Sequence, residues 1–247
     1  MVFTKLKKEL LKKNIELNTA DLNYDKNILF EIHFDVQSRI NQNVPTFLFL
    51  FETNDVAKNN SKVNIDNYQS IYTWNDDLLN LPKFNKFRLP VYKQKNQSFE
   101  SFKERKNFCC AITGNKAVLH KSKSELYTQR IKTFLWFENN YPNDFDLYGV
   151  GWGNPPLYPG YLNKIKNLIF GYLPHILKSN FSLKSYVGPI ENKSVVLSKY
   201  KFSIVYENVS SLNGYIGEKI FDCFFAGCIP VYWGAENITS YIPAECF

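Results

Sequence analysis

Zinc-ribbon and dithiol spacings are missing from the chain: its five cysteines contain no CxxC pair, are odd in number, and include the neighbours Cys109 and Cys110, which argues against a secreted disulfide framework. Histidine is scarce. The three present, His33, His120 and His175, are scattered, so a histidine-built metal site would have to be assembled across the fold. Glycine and proline number 11 each, too few for collagen or for a low-complexity linker protein. No apolar run approaches the roughly 20 residues that span a bilayer, and nothing near the start resembles a signal peptide. The common phosphate-loop fingerprints, GxGxxG and GxxxxGK[ST], are absent, as is any internal repeat. These absences point to a chain of a reducing compartment, read here as cytoplasmic, in which Met1 to Asn14 forms a Lys-rich amphipathic helix suited at most to peripheral contact with a membrane surface.

What is present is a globular composition: 247 residues, 45% hydrophobic, 17% aromatic and 21% charged. That length suggests one large or two modest domains. A net charge of +7 suits a polyanionic partner without saying whether it is nucleic acid, acidic lipid or a nucleotide-linked substrate. The interleaved aromatic and basic cluster of a nucleic-acid binder is not seen.

Short apolar runs alternate with segments of helical periodicity. Expected strands are Ile28 to Phe34, Thr46 to Phe51, Ser70 to Trp74, Phe108 to Thr113, Phe145 to Val150, Phe202 to Tyr206 and Ile229 to Trp233. Runs such as FLFLF and FSIVY suit strands covered on both faces, as in a parallel sheet. Helices are expected at Leu6 to Lys13, Ser124 to Asn139, Tyr161 to Ser179, Ser194 to Tyr200 and Gly217 to Ala226. The alternation is that of an α/β fold. A charged stretch between Tyr92 and Asn107 reads as a linker, dividing the chain into Rossmann-like halves at 1–98 and 99–247.

Lys201 to Phe247 reads as strand, Asn/Ser/Gly loop, helix, glycine stop and strand, a single βαβ unit. Ligands of open parallel sheets settle at the carboxyl ends of strands, where a helix N-terminus attracts phosphate. Lys219 is out of place there, because a cation in the first turn opposes the helix dipole unless an anion compensates. A diphosphate is such an anion; Glu218 or plain solvent is the simpler alternative. Asn208 and Tyr215 by themselves read equally as a turn former and a core aromatic.

The run YKFSIVYEN, followed by GYIGEKIFDCFFAGCIPVYWGAENI and YIPAECF, resembles the donor-binding signature of the glycosyltransferase family 10 fucosyltransferases. The resemblance implies a GT-B fold, two Rossmann-like domains facing across a cleft, with the nucleotide sugar held by the second. It implies that Asn208, Tyr215, Glu218 and Lys219 contact GDP-fucose, Glu218 on ribose hydroxyls and Lys219 on the diphosphate or fucose, and that Arg130, in YTQRIKTFLWF, neutralises the phosphates. FLFLFETND resembles more loosely the element that ends in the family's general base, here Glu52, although Phe51 stands where the family has a small residue. On this reading the chain is an inverting α-1,3-fucosyltransferase acting on an oligosaccharide such as N-acetyllactosamine. No metal is obligatory, a divalent ion being at most stimulatory, because two cations hold the leaving group and no paired-carboxylate metal motif adjoins the donor loop. Another GDP-linked sugar remains open as donor. The family continues beyond the YIP-like segment, so the resemblance also implies a chain cut short at Phe247, with weakened activity or none, of bacterial or viral type.

Overall fold

The computed structural model describes residues 2–23, 27–88, 91, 100–119, 121–164 and 181–247. Two parallel sheets organise them. The first has the order β1 (Glu31–Phe34), β2 (Thr46–Leu50), β3 (Ser70–Thr73), β4 (Phe84–Lys86). In the second, β7 (Tyr186–Gly188), β6 (Phe145–Tyr148), β5 (Asn107–Ile112), β8 (Tyr200–Tyr206) and β9 (Ile229–Trp233) lie side by side. All seven expected strands are present. The two three-residue strands β4 and β7 were not anticipated; each is an edge strand, paired on one side only.

The hydrophobic runs form strands because both their faces are covered. Along β5, Cys109 and Ala111 pack with Phe134, Phe145, Leu147 and Trp152, while Cys110 points to the opposite face with Val205, Ile220 and Cys223. In the first sheet Leu48, Leu50, Ile71 and Tyr68 form the core of one face. The other face carries Phe34, Phe49, Phe51, Tyr72 and Phe87 in mutual ring contact.

The helix Val2–Leu11 precedes the first sheet, Tyr127–Asn140 packs against the second, and Lys193–Leu197 and Glu218–Phe225 flank β8. The expected helix at Ser194 to Tyr200 ends earlier, because Tyr200 already belongs to β8. The helix expected at Tyr161 to Ser179 is described only to residue 164, and the 98/99 boundary adjoins residues 92–99, outside the described set.

In the second sheet the chain leaves the central strand β5 first to one side, through β6 and β7, and then to the other, through β8 and β9. The crevice where such a sheet binds ligands opens between the carboxyl ends of β5 and β8. The first sheet meets this region through Trp74, whose ring lies 4.7 Å from that of Tyr215, and through Asp76, which accepts from Asn237 Nδ2 at 2.8 Å and Tyr241 Oη at 2.6 Å. Gly214, with φ of +79°, sits at this junction, where a Cβ would come within 2.3 Å of the Trp74 carbonyl oxygen. Two parallel α/β sheets meeting at such a junction agree with the expected GT-B type.

Candidate functional site

The site is built around the end of β8. Strand pairing continues past Tyr206, where Glu207 N donates to Trp233 O at 2.8 Å, and delivers Glu207 and Asn208 to the crevice. Residues 208–210 pair in turn with 124–126: Leu126 N donates to Asn208 O at 3.0 Å and Ser210 N to Ser124 O at 2.8 Å. This pairing fixes where the helix Tyr127–Asn140 begins. Glu125 accepts from Thr128 N at 3.0 Å, satisfying one of the amides a helix start leaves free.

Arg130, one turn into that helix, is 6% exposed. Its Nη2 donates to Tyr206 O at 2.7 Å and Asn208 Oδ1 at 3.0 Å, and its guanidinium lies 4.8 Å from the centre of the Tyr127 ring. Burial pulls its pKa below the ordinary value, against the pull of Tyr127 and Glu207, yet an arginine stays charged. Asn208 Nδ2 approaches Tyr215 Oη at 3.4 Å. Burial, followed by the charges of Glu207 and Glu52, pushes the Tyr215 hydroxyl far above its usual pKa, so it remains protonated.

Lys219 sits in the first turn of the helix Glu218–Phe225, where the sequence demanded a compensating anion. The structure supplies it from within the chain, and it is not Glu218. Glu207, 1% exposed, accepts from Lys219 Nζ at 2.9 Å and from Gly217 N, at the N-cap of the same helix, at 2.7 Å. Gly234 leaves the necessary room, since a Cβ there would lie 2.6 Å from Glu207 Cγ. Glu218 instead turns outward, 51% exposed and 3.6 Å from Lys193 Nζ. Burial raises its carboxyl, but Lys219, its own amide and Lys193 together hold it below the ordinary carboxylate range.

Glu52 follows β2 in the first sheet. Its backbone is pinned from both sides: Asp35 Oδ1 accepts from Phe51 N at 2.9 Å and Glu52 N at 3.1 Å, and Asn60 Nδ2 donates to Glu52 O at 2.9 Å. Asp35 adopts a left-handed φ of 58° in doing so. Trp74 Nε1 donates to Phe51 O at 3.0 Å. The half-buried carboxylate makes no hydrogen bond with the described residues. Burial first and the Asp35 charge second push its pKa up, while Lys219 and Lys116 pull it down and Glu218 adds to the rise. Trp74 joins the two parts of the site, with Nε1 on Phe51 O and its ring against Tyr215, so the end of β2 lies beside the loop that follows β8.

All six expected residues therefore lie around this crevice, Glu218 at its exposed rim. Sequence reasoning did not single out Glu207, Asp35, Asn60 or Tyr127. Glu207 could have been found, since it adjoins Asn208 and answers the charge of Lys219; Asp35 and Asn60 carry no local signal. Of the four tryptophans, Trp152 is buried with Nε1 on Thr113 O, and Trp74 packs at the junction. Trp136 and Trp233 are exposed. Among the described residues no group of three His, Cys, Asp or Glu is placed to hold a metal ion, and no helix is long and apolar enough to cross a membrane.

Residues 181–247 match the model of Glycosyltransferase family 10 (fucosyltransferase) C-term. The chain is 43% identical over 58 residues to the Alpha-(1,3)-fucosyltransferase FucT of Helicobacter pylori, a stretch covering 24% of this chain and 12% of that protein. It is 36% identical over 47 residues to an Alpha-(1,4)-fucosyltransferase of Arabidopsis thaliana, covering 19% of this chain and 12% of that one. A solved alpha1,3-fucosyltransferase with GDP-fucose superposes with a TM-score of 0.49 at 16% identity, over 87% of this chain and 59% of that one. The matched stretches thus span only about an eighth of the two curated relatives.

Proposed function

We propose that the crevice binds GDP-fucose and transfers its fucose, with inversion, to a hydroxyl of an oligosaccharide acceptor, in an α-1,3 linkage to a GlcNAc-type residue. The observation that carries this reading is the pairing of two cations to consecutive residues of one loop, Lys219 to Glu207 and Arg130 to Asn208, beside a helix N-terminus and, across Trp74, a carboxylate without a hydrogen bond among the described residues. A diphosphate leaving group needs the first two features, and an attacking hydroxyl needs the third.

In the reaction, the acceptor oxygen attacks the anomeric carbon while its proton passes to Glu52. The bond from that carbon to the phosphate oxygen breaks, and the electron pair leaves with GDP. Lys219, Arg130 and the amides of the first helical turn meet the growing charge. Attack opposite the leaving group turns a β-linked donor into an α-fucoside without a covalent intermediate. The raised pKa of Glu52 suits a base, whose proton affinity should lie near the working pH. Glu218, at the exposed rim, is the residue assigned to the ribose hydroxyls on this reading. No step requires a metal ion.

The test is transfer from GDP-fucose to a panel of lactosamine-type acceptors, with GDP binding followed by calorimetry. Binding of GDP together with fucosylated product is the expected result. Turnover of a different GDP-sugar in competition would reassign the donor, and no affinity for GDP would remove the reading.

A further inference from the structure

Glu207 is unexpected at a site read as anionophilic. A carboxylate close to where a diphosphate would lie repels it, and a fully buried carboxylate is strongly unfavourable unless paired. Yet Glu207 is 1% exposed with both oxygens engaged, and Gly234 is bare of a side chain where Glu207 passes. Its charge is felt by Arg130, Tyr215 and Tyr232 alike.

The arrangement has a use if Lys219 has two carboxylates to choose between. Glu52 faces the same junction, where Trp74 bridges Phe51 O and the Tyr215 ring; its carboxyl feels the Lys219 charge and makes no hydrogen bond of its own with the described residues. Were Lys219 to swing onto Glu52, the base would be held ionised and poorly basic, and the cation would be drawn off the leaving group. An ammonium has three N–H donors. Spending one on Glu207 anchors the side chain to its own helix start and fixes the direction of the other two. Lys219 is 26% exposed, so its head is not closed in.

We propose that Glu207 is a positioning residue that acts through Lys219: it holds the ammonium at the helix N-terminus, ready for the diphosphate, and keeps it from neutralising Glu52. This rests on the donor reading above. The remaining charges around Glu52, namely Asp35 at the end of β1, Glu218 on the same helix and Lys116 after β5, stay in place whichever carboxylate Lys219 chooses. The predicted change is thus specific to one cation.

The experiment compares the unaltered protein with Glu207→Gln, Lys219→Met and the double variant, using the NMR titration of the Glu52 carboxyl, donor turnover and thermal unfolding. In Glu207→Gln the Glu52 midpoint moves to lower pH and kcat falls about tenfold or more. On the Lys219→Met background the same substitution moves neither the midpoint nor kcat by more than about threefold, because its target is gone. Lys219→Met alone strands a buried carboxylate and unfolds at lower temperature; the double variant recovers that loss, which keeps the comparison readable. An unchanged Glu52 midpoint and kcat in Glu207→Gln, or an equal effect with and without Lys219, overturns the proposal. Calorimetry with GDP on the unaltered protein separates the two levels: without GDP affinity the donor reading falls, whereas native GDP affinity beside an unmoved Glu52 titration removes only the role of Glu207.

Discussion

Glu52 and Glu207 occupy matching places in the two halves. Each follows an interior parallel strand, β2 in the first sheet and β8 in the second, at its carboxyl end. Their surroundings differ in kind. Glu207 is sealed and saturated, with an ammonium on one oxygen and a backbone amide on the other. Glu52 is half-buried, its carboxylate free of hydrogen bonds from the described residues and its pKa raised by burial and by Asp35. The same side chain just past a strand end is thereby a saturated counter-ion in one half and, on the proposed reading, a base in the other, a division made by environment and not by residue type.

The sharpest way to break this contrast is Glu52→Gln. Removing a general base lowers kcat by about 100- to 10,000-fold, while GDP affinity, measured by calorimetry, stays within about threefold. The same variant unfolds at slightly higher temperature. A carboxyl with a raised folded pKa binds protons more tightly in the native state than in the unfolded chain, so its contribution to stability falls as pH rises through that range, and a neutral side chain escapes the loss. Next in size is Arg130→Ala, which removes a buried guanidinium bonded to Tyr206 O and Asn208. On the proposed reading the diphosphate loses a charge-assisted partner, expected as a loss of GDP affinity of at least about tenfold in the same calorimeter.

A smaller effect should come from Asp35→Asn. The amide oxygen can still accept from Phe51 and Glu52, but the charge that lifts Glu52 is gone. The acid limb of the pH–kcat profile should therefore shift to lower pH, leaving the plateau within severalfold. The smallest is Lys193→Ala, which removes the exposed pairs to Glu218 and Asp222. Exposed pairs are worth about 0–1 kcal/mol, so urea denaturation should change little and less still at high salt. Stability losses as large as those from breaking the Glu207 pair would erase the contrast between sealed and open carboxylates.

The strands were legible because their hydrophobic runs are long enough to show a pattern, as in TFLFL of β2 and YKFSIVY of β8. Strands β4 and β7 are three residues each, too short to carry a period, and owe their conformation to one neighbouring strand. In the site, Lys219 announced itself by opposing its helix dipole, and Asn208, Tyr215, Glu218 and Arg130 came from the motif. The supports of Glu52 were hidden for a physical reason. Asp35 and Asn60 reach it from a neighbouring strand end and a following turn, an association set by sheet pairing that leaves no local trace in the chain.

Gly214 admits no side chain where the two sheets meet. Its Cα stands so near the Trp74 carbonyl, the Lys86 ammonium and Asp76 that even a methyl group has no place. The bare backbone at Gly214 therefore lets the loop after β8 pass against the Trp74 carbonyl and the Lys86–Asp76 pair. Any side chain at this position would act as a wedge, parting the two sheets beside Trp74 and Tyr215.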